Sequence, residues 1–329
     1  MEDILGSPGP GTAFYVYYFG MFSIIACINI PGNILIIIAV FKTPNLQKPC
    51  NFCIASLAVT DLLIGLVYPV YNISHLQHVP EISRPLGQWN VCRFLLCEVI
   101  ALDICSSYHL VAITINRYIA IVNPLRYHVY VTTRSTKYVI VFIWVISQGV
   151  CVIMFTLYNP EEYILRQEPS CRFELIFSLA HMCVYFIFQL ILPLILMIPM
   201  YARIANIART QAKAIAILKR LPWHKDRACC CHINYHELKS TFLVSILLVS
   251  YTVAWVPFMT YSFYRIQCVK DCYFSPFIRA SCRILLYLNS AINIFIYALR
   301  LKEFRKSIKH KLTHFFRMIL CREKNGRAH

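Results

Sequence analysis

Seven long apolar segments, separated by short polar ones, set the pattern of this chain. They lie at residues 14–41, 50–76, 89–127, 138–157, 175–204, 238–266 and 277–299. The hydrocarbon core of a bilayer is about 30 Å thick, and an α-helix needs about 20 apolar residues to cross it. Each segment is long enough. The pattern therefore predicts an all-α integral membrane protein with seven transmembrane helices in a bundle.

The third span shows how such a helix meets the membrane. Cys92 and Arg117 lie 25 residues apart, and this separation is about 37 Å of α-helix. The span thus places a cysteine at one membrane face and an arginine at the other. Between them lie Asp103, Ser106 and Ser107, polar side chains that lipid does not tolerate. One side of this helix is therefore expected to face a protein interior.

Composition and charge agree with a membrane protein. The chain has 329 residues, of which 58% are hydrophobic and 14% charged, whereas a soluble domain carries about 25% charged residues. The net charge of +17 comes from Lys and Arg in short loops and in the tail, as is typical of cytoplasmic segments. The basic residues do not form one folded patch, so nucleic-acid binding is not expected.

Loop charge also predicts the orientation. Lys and Arg concentrate in the loops after spans one, three and five and after span seven, while the other loops are nearly balanced. By the positive-inside rule the amino terminus is outside the cell and the carboxyl terminus is cytoplasmic. The chain then divides into an extracellular segment at 1–13, a seven-transmembrane domain at 14–299 and a cytoplasmic helix and tail at 300–329.

The tail carries a second membrane signal. Its apolar residues recur at helical spacing among basic ones, at Leu301, Phe304, Ile308, Leu312, Phe315 and Ile319. This pattern predicts an amphipathic helix along the inner leaflet. Cys321, just beyond it, is a candidate palmitoylation site, with a free cytoplasmic thiol as the alternative. On the outer side, Asn72 begins an Asn-x-Ser sequon and is a candidate glycosylation site.

Each span also carries a short motif. In chain order these are GN at 32–33, LAVTD at 57–61, NRY at 116–118, Trp144, Pro193 with Tyr201, AWVP at 254–257 and NIFIY at 293–297. With one motif per span, in order, the chain resembles a class A (rhodopsin-like) G-protein-coupled receptor over nearly its whole length. The resemblance implies a plasma-membrane receptor that binds an extracellular small-molecule agonist and activates a heterotrimeric G protein. Arrestin and receptor kinases would be further partners, and no organic cofactor is implied.

The resemblance also implies a disulfide bond. Cys92 and Cys171 stand at the positions of the bridge that ties the family's long outer loop to span three. Cys268 and Cys272 flank Val-Lys-Asp and are close enough for a second bridge, although spacing alone does not decide connectivity. A run of three cysteines and nearby histidines at 224–236 lacks the paired spacing of zinc sites. We expect free or lipidated thiols there rather than a metal.

Five polar residues match the family's sodium pocket: Asp61, Ser106, Asn289, Ser290 and Asn293. A carboxylate at mid-membrane is costly unless it is paired or coordinated, and oxygen ligands of this kind suit a hard cation. The resemblance therefore implies an allosteric sodium ion. A water-filled polar network without an ion is the alternative.

The inner end of the bundle resembles the family's activation switch. Arg117 and Glu237 would form the ion pair of the inactive state, and opening of span six would release Arg117 and Tyr201 toward the G protein. Tyr297 belongs to the same switch.

Two residues depart from the family's pattern at this end. Asn116 replaces the usual acid before the arginine, and Ile294 replaces the proline of the Asn-Pro-x-x-Tyr motif. Without the acid Arg117 is less restrained, so we predict raised activity in the absence of agonist.

Within class A, three stretches resemble adenosine receptors. They lie at 45–66, 124–134 and 171–174. In that family a phenylalanine after the loop cysteine stacks on the purine, and the neighbouring glutamate accepts from its amino group. Phe173 and Glu174 occupy these places, and Val99 and Trp255 also match pocket positions.

The rest of the pocket departs from adenosine receptors. Ser262 replaces the purine-binding asparagine, Met259 replaces a histidine, and the ribose-contacting residues become Asp103, Leu286 and Tyr287. Losing a buried hydrogen-bond partner costs about 1–3 kcal/mol. The scaffold thus resembles an adenosine receptor, while the pocket is expected to favour a different ligand chemistry.

Charged residues in the pocket leave two interpretations open. These residues are Asp103 in span three and, four residues apart in span seven, Arg279 and Arg283. In one interpretation they bind a charged ligand. In the other, Asp103 and Arg283 form an internal salt bridge, since intramembrane charges tend to pair. Amine receptors place their acid one turn further out, where this chain has Val99. The first hypothesis is a nucleoside-like agonist, and the alternative is a biogenic amine or another charged metabolite.

Other classes of protein fit less well. A retinal receptor needs a lysine in span seven, and none occurs between Lys270 and Lys302. Transporters show internal repeats or paired broken helices, which are not evident. An enzyme is not expected, because the chain has none of the common hydrolase or phosphate-loop motifs.

Overall fold

Seven long helices make up most of the described part of the chain, with a short helical turn after the first and another after the third. The structure is a computed structural model that describes residues 11–74, 86–156, 177–218, 228–267 and 275–300. Within these ranges, it describes the backbone alone at 73–74, 86–90, 92, 212, 215–218, 228–244, 266 and 297–300. The first four helices are α1 (Thr12–Lys42), α2 (Pro49–Ser74), α3 (Leu86–Val122) and α4 (Thr133–Thr156). Helix α5 consists of Leu179–Phe186, a wide turn at Ile187–Ile191 and Leu192–Leu218; α6 is Ala228–Gln267 and α7 is Pro276–Arg300. No strand occurs among the described residues.

The central helix of the bundle is α3. It packs against α2, α4 and α5, while α1 packs against α2 and α7, and α6 against α7. Nearly every side chain between 96 and 114 on α3 is buried, including the polar Asp103 and Ser107. This burial confirms the expectation that the polar side of the third span faces a protein interior.

The outer surface is apolar, as a lipid-facing surface should be. On α4, Val141, Phe142 and Val145 are 58%, 64% and 65% exposed. Six of the seven helices are long and apolar enough to cross a membrane. Helix α7 spans 25 residues and carries Arg279 and Arg283, which lower its mean hydropathy.

The inner end of α3 differs from the prediction. The sequence pattern placed residues 89–127 in one spanning stretch, but the helix ends at Val122, and Pro124–Arg126 forms a tight helical turn followed by the short helix Tyr127–Tyr130. Proline disfavours the α conformation in the residue before it, so Asn123 ends the helix. Tyr127 therefore lies in the inner loop, where its side chain folds back toward α3.

Helix α5 is interrupted by the wide turn, which the periodicity did not predict. Over Ile187–Ile191 the backbone makes a π-helical turn, in which each N–H bonds five residues back instead of four. The Tyr251 hydroxyl of α6 donates a hydrogen bond to the backbone carbonyl of Gln189 inside this turn. The turn thus joins α5 to α6 and directs the Gln189 side chain into the bundle, where it is fully buried.

Candidate functional site

The buried carboxylate of Asp61 lies at the centre of a polar cluster. Asn293 Nδ2 donates to Asp61 Oδ2 at 2.9 Å, Ser106 Oγ donates to Oδ1 at 3.4 Å, and Ser290 is a further hydrogen-bond donor to the same group. Asn29 Nδ2 donates to the Asp61 backbone carbonyl at 2.8 Å. The structure thus brings four of the five predicted sodium-site residues into direct contact.

The fifth residue, Asn289, is buried one turn before Asn293 on α7. The Oδ1 atoms of Asn289 and Asn293 are both buried and have no hydrogen-bond partner among the described residues. Asn293 contacts the Asp61 carboxylate, and an acceptor oxygen without a partner next to a carboxylate suits a cation site, because hard cations take such oxygens as ligands. The described part of the chain holds no cluster of three His, Cys, Asp or Glu residues that would suit a transition metal.

A second buried carboxylate, Asp103, lies further out on α3. It is 7% exposed, and its Oδ2 accepts a hydrogen bond from the Tyr185 hydroxyl of α5 at 3.4 Å. Its backbone carbonyl accepts from Ser107 Oγ at 3.0 Å and from Gln189 Nε2 at 3.3 Å. Asp103 therefore faces the wide turn of α5.

The Arg283 guanidinium of α7 contacts a tyrosine of α2 rather than the Asp103 carboxylate. It lies over the ring of Tyr71 on α2, with Cζ 5.7 Å from the ring centroid, and its side chain is buried. Arg279, one turn earlier, is half-buried. The partner of Asp103 in the structure is thus Tyr185 and not Arg283, which argues against the internal salt bridge.

The other candidate pocket residues that the structure describes are buried: Val99, Trp255, Met259, Ser262 and Tyr287. The ring of Trp255 meets those of Tyr185 and Tyr251, each at 6.2 Å between centroids, so it lies beside the Asp103 site. Tyr287 lies apart from this group. Its ring stacks on Phe22 at 5.2 Å, and its hydroxyl donates to the Gly65 carbonyl at 3.2 Å, so it packs α7 onto α1 and α2.

At the inner end, two of the predicted switch residues, Arg117 and Tyr201, have partners within the bundle. Arg117 Nη2 donates to Cys50 Sγ at 3.2 Å, and the Tyr201 hydroxyl pairs with Thr114 Oγ1 at 3.1 Å. Asn116 Oδ1 accepts from the Tyr127 hydroxyl at 2.9 Å. Tyr201 is thus bonded to α3 at Thr114, three residues before the arginine of the NRY motif.

Several predicted residues lie outside the residues whose side chains the structure describes: Cys92, Cys171, Phe173, Glu174, Glu237, Cys268, Cys272, Tyr297 and Cys321. The two disulfide bonds, the purine contacts, the Arg117–Glu237 ion pair, the amphipathic tail helix and the palmitoylation site therefore remain predictions.

The candidate glycosylation site is described, and its geometry is unfavourable. The Asn72 side chain is 2% exposed, and its Oδ1 accepts a hydrogen bond from the Tyr18 hydroxyl at 2.7 Å. A glycan on Nδ2 of this buried amide would separate α1 from α2. The structure therefore argues against a glycan at Asn72 in the folded protein.

One polar network was missed by the sequence analysis. His109 of α3 is fully buried; its Nδ1 lies 2.7 Å from the carbonyl of Cys105, and its Nε2 lies 2.8 Å from Ser56 Oγ. A carbonyl only accepts, so Nδ1 carries the proton and Nε2 accepts from the Ser56 hydroxyl. Trp144 Nε1 donates to the same oxygen at 3.0 Å, and the chain of bonds joins α2, α3 and α4.

Comparison with known proteins decides the family. The model of the 7 transmembrane receptor (rhodopsin family) matches residues 32–297, which include α2 to α6 complete, the inner third of α1 and most of α7. The chain belongs to the rhodopsin family of seven-transmembrane receptors. Its membership confirms the seven-helix bundle and the class A resemblance that the motifs indicated.

Two groups of rhodopsin-family receptors are similar to the chain at about the same level. Melanocortin receptor 5 of Pan troglodytes is 30% identical over 298 residues, covering 88% of this chain and 82% of that receptor. Adenosine receptor A2a of Homo sapiens is also 30% identical over 298 residues, covering 87% of this chain and 69% of that receptor. The A2a receptor of Equus caballus is 31% identical over 308 residues. The adenosine-receptor resemblance is thus confirmed, but it is shared with a second group.

Proposed function

We propose that this receptor converts the binding of an extracellular small molecule into activation of a heterotrimeric G protein. The observation that carries the proposal is the arrangement of α3. This single helix presents Asp103 to the interior in its outer half and the NRY arginine, Arg117, at its inner end. A ligand that contacts the outer half would therefore act on the same rigid element that meets the G protein.

The first candidate ligand is nucleoside-like. The three adenosine-receptor-like stretches support it, together with Phe173 and Glu174 at the positions that contact the purine in that family. Trp255, which also stands at a pocket position of adenosine receptors, is buried beside Tyr185 and Tyr251. Overall similarity does not choose the ligand, because melanocortin and adenosine receptors are about equally similar to the chain.

The second candidate is an amine or another small cation, and the environment of Asp103 favours it. The carboxylate is buried next to a tyrosine hydroxyl, while Arg283 packs on Tyr71 instead. In the part of the chain that the structure describes, the hydrogen bond to this carboxylate comes from a tyrosine and not from a Lys or Arg. A buried carboxylate without a cationic partner is expensive, and a cationic ligand would remove that cost.

G-protein activation in cells that express the full chain tests the proposal. Adenosine, inosine, nucleotides and biogenic amines are each dosed, with mock-transfected cells as the baseline. A saturable adenosine response that is lost in Phe173→Ala and Glu174→Ala supports the nucleoside candidate. A response to an amine alone, lost in Asp103→Ala, supports the second. Val145→Ala, which changes a lipid-facing residue, is the control for expression.

We further infer the orientation and the remaining partners from the charge pattern. The amino terminus lies outside the plasma membrane, and the basic tail lies in the cytoplasm, where arrestin, receptor kinases and inner-leaflet lipid would meet it. An epitope tag at either end, detected on intact and on permeabilised cells, tests the orientation. Labelling of a carboxyl-terminal tag on intact cells would contradict it.

A further inference from the structure

The side-chain amide of Gln189, in the wide turn of α5, forms hydrogen bonds through its nitrogen but not through its oxygen to any described residue. The residue is fully buried, and its Nε2 donates to Ser107 Oγ at 2.6 Å and to the Asp103 backbone carbonyl at 3.3 Å. Its Oε1 is buried and has no hydrogen-bond partner among the described residues. A buried acceptor without a partner is destabilising, so this oxygen is a candidate acceptor for a ligand donor.

The orientation of this amide is fixed by chemistry. The Asp103 backbone carbonyl can only accept, so the atom that faces it has to be the nitrogen and not the oxygen. Exchanging the two atoms would place two oxygens against each other. The orphaned atom is therefore the carbonyl oxygen, which can be satisfied only by a donor.

Gln189 and Asp103 place their acceptors in the same region of the bundle. The amide reaches the backbone of Asp103, and the carboxylate reaches Tyr185, which lies one turn before Gln189 on the same face of α5. Trp255 of α6 adds an aromatic ring beside Tyr185. The region thus combines a carboxylate and an orphaned carbonyl with aromatic rings that a cation can contact.

We propose that Asp103 and Gln189 together bind the primary ammonium group of an aryl-alkylamine ligand. The ammonium donates one hydrogen bond to the Asp103 carboxylate and one to Gln189 Oε1, and the aromatic body of the ligand extends outward past Trp255. The inference rests on the proposed receptor function and specifies which of the two candidate ligands fits the described residues. A neutral nucleoside has no cation to pair with the carboxylate.

The outer part of the same region offers two further polar atoms. Ser262 Oγ of α6 and His181 Nε2 of α5 are both buried without a partner among the described residues. His181 lies two turns outward from Gln189, or about 12 Å along the helix. An amine that carries a polar group on its aromatic ring would place that group nearer to these atoms than an unsubstituted one.

Tyramine is the probe, and 4-ethylphenol, which lacks only the amine, is its matched control. Both are dosed on the full-length receptor in two assays: ligand-induced shift of the melting temperature of the purified receptor, and G-protein activation in membranes. We expect tyramine to raise the melting temperature and to activate, and 4-ethylphenol to do neither at the same concentration. Equal effects of the two compounds, or no effect of tyramine in the melting assay, would overturn the proposal.

Three variants separate binding from a structural role. Asp103→Asn is expected to weaken tyramine about 100-fold and Gln189→Leu about tenfold, because each removes an acceptor for the ammonium. Gln189→Glu keeps an acceptor oxygen for the ammonium, and because burial favours the protonated carboxyl, its O–H can still donate to the Asp103 carbonyl; this variant is expected to stay within a few-fold of the wild type. If Gln189→Glu is as weak as Gln189→Leu, the Nε2 bonds to α3 are what matter, and the proposed ammonium contact is wrong.

Gln148→Leu is the control variant. It makes the same chemical change on α4, where the side chain is only partly buried, and should leave tyramine potency unchanged.

Two outcomes separate this proposal from the proposed function. If the receptor responds to adenosine, if Asp103→Asn and Gln189→Leu do not alter that response, and if tyramine is inactive, the receptor function stands and the amine site is refuted. A tyramine-induced melting shift without G-protein activation would instead leave the site standing and refute the proposed function.

Discussion

Ile294 of α7 packs directly onto Gly32 of α1. A Cβ atom added at position 32 would lie 2.5 Å from Ile294 Cδ1 and 3.0 Å from its Cγ2. The isoleucine that replaces the expected proline of the span-seven motif is therefore matched by a residue without a side chain on the facing helix. The two helices approach closely because of this pair.

Gly32→Ala should destabilise the receptor. Alanine favours a helix over glycine by about 1 kcal/mol, but the added methyl group would force the Ile294 side chain to shift, at a cost of about 1–3 kcal/mol. We expect a lower melting temperature of the purified receptor. In an Ile294→Ala background the space is open, and the same change should be neutral or stabilising. If Gly32→Ala lowers the melting temperature equally in both backgrounds, the contact with Ile294 is not the cause of the destabilisation.

His109→Leu should also lower the melting temperature. It leaves the buried Ser56 hydroxyl without its acceptor, at a cost of about 1–3 kcal/mol. Trp144→Phe removes a donor but keeps the bond between His109 and Ser56, so it should cost less. The double variant should be less destabilised than the sum of the two single variants, since both act on one hydrogen-bonded network. Additive losses would indicate that the bonds are independent.

Sodium should act on agonist affinity through Asp61. With sodium chloride replaced by the chloride of a large organic cation, the wild-type affinity for an agonist should change several-fold. In Asp61→Asn, which removes the charge that would hold the ion, the two salts should give the same affinity. Identical affinities in the wild type would mean that the orphaned oxygens of Asn289 and Asn293 are hydrated without an ion.

Asn116→Asp should reduce the activity that the receptor shows without agonist. A carboxylate at this position would pair with Arg117 next to it, while still accepting from the Tyr127 hydroxyl. The measurement is ligand-free G-protein activation at matched surface expression. Wild-type activity no higher than that of mock-transfected cells would contradict the prediction that the asparagine leaves the arginine less restrained.

The bond between Tyr127 and Asn116 should resist changes in pH. Burial raises the pKa of the Tyr127 hydroxyl above its ordinary value, with the nearby Cys50 adding to the shift and Arg117 opposing it. A group with a raised pKa contributes its stability below its ordinary pKa, about 10 for tyrosine, and loses it as the pH rises through the raised value. Ligand-free activity should therefore stay constant from about pH 6 to pH 9, and Tyr127→Phe should alter it equally across that range.

The sequence predicted the seven spans because lipid imposes a long apolar run on each one. It also predicted that Asp61, Ser106 and Asn293 would meet, although they lie on three different helices, because the family resemblance supplied their positions. The purine contacts at Phe173 and Glu174 cannot be compared with the structure, since these residues lie outside its described part. Their role remains a prediction.

Other features could not be predicted because local pattern does not encode them. The apolar periodicity of α5 gives no sign of the wide turn, where the Tyr251 hydroxyl of a different helix donates to the Gln189 carbonyl. Pro124 could have predicted that α3 ends at Val122, but the apolar run was interpreted as continuing through it. Isolated polar residues in apolar spans were the missed signal for His109 and Gln189, since each such group in a membrane needs a partner.

The wide turn at Ile187–Ile191 makes the outer part of α5 sensitive to chain length. Loss of one residue there would let the backbone close as an ordinary α-helix and would rotate the outer segment by about 100° against the inner one. Tyr185 and His181 would then leave the interior, although no residue outside the turn had changed. For this receptor, a single-residue deletion at the turn would change the chemistry that the ligand meets as thoroughly as several substitutions.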